Sequence, residues 1–175
     1  MRTQTFVAAL FPLTLLACAD ESDPAPAEET PEAEACEHLA EGPFEAITAV
    51  ESPMIPDPPN AAVEHTRVDI SFVDISASTP NAEGGDFGGT VAFEATEAAE
   101  FLFFFSDAVP LSVFDATAGV FIPLEEEVLG SDLCSELAAT HTYDLEVGTY
   151  LLTFEPTKLT KVKMVHEEAG KHADE

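Results

Sequence analysis

Five histidines (His38, His65, His141, His166 and His172) and three cysteines (Cys18, Cys36 and Cys134) are the side chains of this 175-residue chain best suited to chemistry. Neutral imidazole binds zinc or copper, and in β proteins the three or four ligands of such an ion can come from distant strands. His38, His65 and His141, with Glu37 or Glu64 nearby, are the set that the sequence offers for such a site. Alternation divides this set. His141 shares parity with Leu137, Tyr143 and Leu145, and His166 with Val162 and Met164, whereas His65 alternates with Arg67 and Asp69. His141 and His166 are therefore expected to face inward and His65 outward, so a single cluster forms only if the residues meet at one end of the fold. The sequence favours the plainer arrangement, a buried and hydrogen-bonded His141 with the other histidines in solvent.

Other chemistry finds less support. The chain has no Gly-x-Ser-x-Gly elbow, no His-Glu-x-x-His and no phosphate-binding glycine loop. Gly84-Gly85-Asp86-Phe87-Gly88-Gly89 lacks the Lys-Ser/Thr ending and precedes a strand, which reads as a flexible connection. Glu125-Glu126-Glu127 reads as a solvated turn rather than a calcium loop, since neighbouring strand residues face opposite ways and no Asp-x-Asp-x-Asp spacing exists. Sugar-binding platforms need exposed aromatic rings. The chain has no Trp, two Tyr, and Phe residues that sit in strand-like runs.

The N-terminal segment gives an address. Arg2 is the only charged side chain before Asp20, and an apolar run spans Phe6–Leu16. That is the layout of a secretory signal, too short for the roughly 20 residues of a membrane span. Leu15-Leu16-Ala17-Cys18 resembles the lipobox of bacterial lipoproteins. The resemblance implies that residues 1–17 are a signal peptide and that Cys18 becomes the lipid-bearing mature N-terminus, a membrane anchor. Residue 19 is Ala rather than Asp, which by the sorting habit of that family implies the outer membrane.

With Cys18 assigned to lipid, Cys36 and Cys134 remain as a pair in an oxidising compartment, and a disulfide is expected. Two thiols on a metal are the weaker alternative, since neither lies in a Cys-x-x-Cys spacing. Residues 18–175 hold five basic and 34 acidic side chains, a formal charge of −29. Such a chain repels nucleic acid and anionic lipid, and suits cations, basic proteins or neutral molecules. The acids are scattered, which favours a solvated acidic surface over a dedicated cation site.

Residues 19–35, ADESDPAPAEETPEAEA, contain no aromatic or branched aliphatic side chain, so 18–35 is expected to be a disordered acidic tether. A single domain follows over 36–167, then a polar tail at 168–175. Short runs rich in Phe, Val, Ile and Thr predict strands at Phe44–Val50, Thr66–Ile75, Gly89–Ala95, Glu100–Ser106, Val109–Asp115, Val120–Leu124, Ala139–Val147, Thr149–Glu155 and Thr160–His166. One helical turn is expected at Ser131–Leu137, capped by Ser131. Phe101–Phe105 is apolar throughout and should be a central strand covered on both faces. The stretch SPMIPDPPN, residues 52–60, should be a long surface crossover. The lysines of the last eighteen residues (Lys158, Lys161, Lys163, Lys171) suit a protected edge strand.

VAFEATEAAEFLFFF and HTYDLEVGTYLLTF each read as strand, tight turn, strand, with Gly148 permitting the second turn. This phrasing resembles the hairpins of bacterial prepeptidase C-terminal and related jelly-roll domains, which implies a binding or accessory module. The fold class expected is all-β: an antiparallel, jelly-roll-like β-sandwich of about 8–9 strands. The function expected is that of a lipid-anchored envelope lipoprotein whose sandwich is a noncatalytic binding or interaction module for an unidentified protein or small ligand. The alternatives are a zinc- or copper-binding lipoprotein and, least favoured, an envelope enzyme.

Overall fold

A computed structural model describes residues 30–63, 65–79 and 83–169. Eleven strands and one helix follow in the order α1 (Pro31–Ala40), β1 (Phe44–Thr48), β2 (Arg67–Ser71), β3 (Val73–Asp74), β4 (Phe87–Ala95), β5 (Ala99–Phe105), β6 (Leu111–Asp115), β7 (Val120–Ile122), β8 (Glu126–Leu129), β9 (Ala139–Leu145), β10 (Gly148–Thr157) and β11 (Lys161–Glu168). They form a β-sandwich. One sheet has the order β1-β2-β11-β5-β9-β8 and the other β3-β4-β10-β6-β7. Every pairing is antiparallel except β1 with β2. That parallel pair needs a long crossover, and residues 49–66, with their prolines, supply it. The crossover lies along β4 through bridges at Val50–Thr90 and Asn60–Ala92. Only glycine fits at position 89, where φ is 132° and an added Cβ would meet the Val50 carbonyl oxygen at 2.7 Å.

Alternate residues of both sheets fill the space between them. Val68, Ile70, Phe101, Phe103, Phe105, Tyr143, Val162 and Met164 come from the six-stranded sheet, and Val91, Phe93, Val113, Tyr150, Leu152 and Phe154 from the other. Phe93 meets Phe101, Phe103 and His166 edge-on, at centroid distances of 5.3, 5.0 and 5.0 Å. The strand β5 is central, between β11 and β9. Its outward Phe104 joins Val165, Leu137, Ala35 and Leu39 in a second cluster beneath α1. The apolar run 101–105 is thus covered on one face by the second sheet and on the other by a helix.

Several expectations are corrected. The two strand-turn-strand phrases are not hairpins: β4 and β10 belong to one sheet while β5 and β9 belong to the other. Each connection is an arch across the sandwich. Alternation marks which side chains face the core but not which sheet a strand joins, so the two geometries read alike in sequence. Gly148 opens β10 and is not among the positive-φ glycines of the described residues. The predicted strand Thr66–Ile75 divides at Phe72, with β2 in one sheet and β3 in the other. Glu126 and Glu127 lie in the edge strand β8 rather than in a turn, which brings the strand count above the expected 8–9. Residues 131–137 hold bends and a turn but no helix. The helix lies instead at Pro31–Ala40, across the expected tether–domain boundary; β11 runs one residue past 167 and, despite Lys161 and Lys163, is not an edge strand but pairs with β2 on one side and β5 on the other.

Candidate metal centre

Helix α1 starts where the chain supplies a cap. The Thr30 hydroxyl accepts a hydrogen bond from the Ala33 amide at 3.3 Å, Pro31 occupies the first turn, and Glu32 and Glu34 lie at the positive end of the helix dipole. Its C-terminal end is held by cations. Arg67 Nη1 donates to the Leu39 carbonyl at 3.1 Å, and Lys163 Nζ donates to the same oxygen at 3.4 Å. Arg67 is itself fixed by a two-pronged pair with Asp69, at 2.7 and 3.3 Å, and by the Phe44 ring 5.1 Å away. Beneath the helix Ala35 and Leu39 are fully buried. Cys36 joins Cys134 in a disulfide across 98 residues, with Cα atoms 5.9 Å apart.

With the underside given to Ala35 and Leu39, the preceding residues Glu34 and His38 share an adjacent side, because residues four apart stack on one helix face. They look towards the end of β11. Val165 packs outward beneath α1, so Glu167, two residues on, shares that outward face. The end of the crossover adds His65, whose backbone is left-handed with φ 49°. Such a conformation is uncommon for a residue other than glycine.

One donor atom each from Glu34, His38, His65 and Glu167 lies within 4.8 Å of all the others. Glu34 Oε1 sits between the imidazoles, 2.6 Å from His65 Nδ1 and 3.4 Å from His38 Nε2. Three of the four residues are shielded: the side chains of Glu34 and His38 are 16% exposed and Glu167 is 5% exposed. His65 is the open member, with its side chain 58% exposed. The other His38 nitrogen, Nδ1, is buried with no hydrogen-bond partner among the described residues, so Nε2 is the one turned to the cluster. Gly42 lies against that ring, where a Cβ would come within 2.6 Å of Nδ1.

Two imidazole nitrogens and two carboxylate oxygens suit zinc or copper better than calcium, which takes oxygen alone. A tetrahedral ion with bonds of about 2 Å places its ligands about 3.3 Å apart, so modest side-chain movement closes this group around a metal.

The fold brings His38 and His65 together and sends His141 elsewhere. His141 lies on the inward face of β9, 3% exposed, against the Phe105 ring and 3.3 Å from Glu127. Burial holds its pKa below the ordinary histidine value, with Glu127 opposing. His166, expected in solvent, is instead in the core among Phe93 and Phe103, because its alternation with Val162 and Met164 turns it inward. Glu37 is exposed on α1 and outside the cluster. Glu64, His172 and Cys18 lie outside the described residues. Glu34 and Glu167, the carboxylates that do converge, were missed because Glu34 sits in the stretch read as a disordered tether and Glu167 lies just past the last predicted strand. A signal existed for the first: a Thr-Pro start, Ala35 and Leu39 four apart, and Glu34-x-x-x-His38 mark a capped helix with two donors on one side.

Compared with known protein families and with curated proteins, the chain matches none.

Proposed function

We propose that the chain is an exported lipoprotein, anchored at the cell envelope through lipid on Cys18, whose β-sandwich is a noncatalytic module that binds zinc or copper at Glu34, His38, His65 and Glu167. The observation that carries this reading is the convergence of two imidazoles and two carboxylates from a helix, a crossover loop and a strand end, spread over residues 34–167. A formal charge of −28 also draws cations to the surface. The lipobox resemblance at Leu15–Cys18 supports the anchor, and Ala19 supports the outer membrane. No helix among the described residues is long and apolar enough to cross a membrane.

The test is metal analysis of the mature chain purified without tag or chelator, followed by melting with added zinc or copper. Stoichiometric binding and a higher Tm are expected, both lost in His38→Ala/His65→Ala but kept in His141→Gln. No binding, or binding unaffected by the double change, contradicts the site. For the anchor, Cys18→Ala is expected to abolish processing and membrane attachment. A variant still processed and membrane-bound contradicts it.

A further inference from the structure

The strand β8 ends the six-stranded sheet, and among the described residues it pairs only with β9. All four of its residues are exposed. Its own Val128 and Leu129 are exposed by 47% and 68%, and Leu133, four residues further on, by 60%. Natural edges are guarded by short strands, charged side chains, proline or a bulge. The four-residue β8 carries only acidic guards, Glu126 and Glu127, and no Lys or Arg occurs anywhere in 120–136, so the edge repels acidic strands but not basic ones. The opposite end strand, β1, differs: its Phe44 lies under the Arg67 guanidinium.

Beside β8, on the outer face of the sheet, a groove of about 300 Å³ runs between the start of α1 and strands β5, β8 and β9. Leu102, Phe104 and Val128 form its apolar walls, and Glu32 and Glu126 are its charged lining residues. Glu125 and Glu127 flank it in sequence.

We propose that β8 is a docking edge for an extended basic segment of another protein, which adds a strand to the sheet and places a lysine or arginine side chain in the groove. An added strand gains main-chain hydrogen bonds at the edge, and the adjacent pocket selects alternate side chains. The near wall of the groove suits a long stem with a cationic head: from a strand beside β8 the stem lies across Val128 while the head meets Glu126. Charge selects the partner. A second copy of the chain would bring its own Glu125–Glu127 and a charge of −28 against this edge. This inference stands independently of the metal site.

The test uses the mature chain and an alternating valine–lysine octapeptide, read by amide hydrogen exchange and fluorescence anisotropy at physiological salt. The peptide is expected to slow exchange at Glu126–Leu129 at least tenfold. A peptide of equal charge with alternate backbone nitrogens methylated is expected to bind at least tenfold more weakly, because it cannot complete the ladder. Glu126→Lys, checked as folded by its melt, is expected to bind the valine–lysine peptide at least tenfold more weakly. Equal binding of both lysine peptides, or protection elsewhere, reduces the effect to general attraction and overturns the proposal. So does protection of β8 without peptide, whether it rises with concentration (a second copy) or vanishes on deleting residues 18–29 (the chain's own N-terminal segment).

Discussion

Replacing both Cys36 and Cys134 by Ala tests how firmly α1 is held. The disulfide closes a loop across 98 residues. In the chain-entropy model a loop of about 100 residues contributes about 4.7 kcal/mol by constraining the unfolded chain. What remains on the helix is smaller. Ala35 and Leu39 are fully buried, and Arg67 and Lys163 hold one carbonyl. Burying a leucine contributes about 1.5–3 kcal/mol, and a helix this short is marginal alone. The expected loss is therefore about 4–5 kcal/mol, or about 10–20 °C in Tm for a domain of this size. Urea unfolding of parent and variant measures it. Glu34 and His38 flank Cys36 on the same helix, so zinc affinity of the folded variant should fall at least tenfold. An unchanged urea midpoint refutes the stability argument. A lower midpoint with unchanged zinc affinity shows that α1 stays seated without the disulfide and refutes the link to the site.

Three further outcomes follow from the geometry. Gly42→Ala sets a Cβ 2.6 Å from His38 Nδ1 and 2.8 Å from His38 Cα, so both the ring and the end of α1 must shift; zinc binding should weaken about tenfold and the metal-free Tm should fall as well, as calorimetric titration and melts will show. His141 has a folded pKa below its unfolded value of about 6.5, so the unfolded chain takes up a proton first as pH falls. Stability supplied by neutral His141 is thus present above about pH 6.5 and lost on acidification. The urea midpoint of His141→Gln should depend less on pH between about 7 and 5 than that of the parent. Phe103→Ala empties a fully buried site among Phe93, Phe101, Tyr143 and His166 and should cost about 3–5 kcal/mol in the same assay.

Local alternation carried most of the fold. The inward residues of β5, β9, β10 and β11 follow a period of two, so strand positions and the burial of His141 were readable, whereas His166, which the favoured reading left in solvent although its parity pointed inward, is buried. Sheet membership was not, since β4–β5 and β9–β10 present the same alternation whether they form hairpins or arches. The site was half legible. Imidazoles advertise metal chemistry by residue type, so His38 and His65 stood out. Glutamate is common in this acidic chain, and only the packing of α1 on β11 distinguishes Glu34 and Glu167 from the solvated acids around them. The placement of α1 depends in turn on Phe104 and Val165 facing outward and on Cys134, contacts too far apart in sequence for local patterns to reveal.

Anomalous diffraction at the zinc absorption edge, from crystals of the mature chain grown with one equivalent of zinc, tests the central claim most directly. One strong peak is expected within bonding distance of His38 Nε2, a His65 nitrogen, and carboxylate oxygens of Glu34 and Glu167. A structure with no peak there, or with its ordered zinc at His141 or on scattered surface acids, contradicts it.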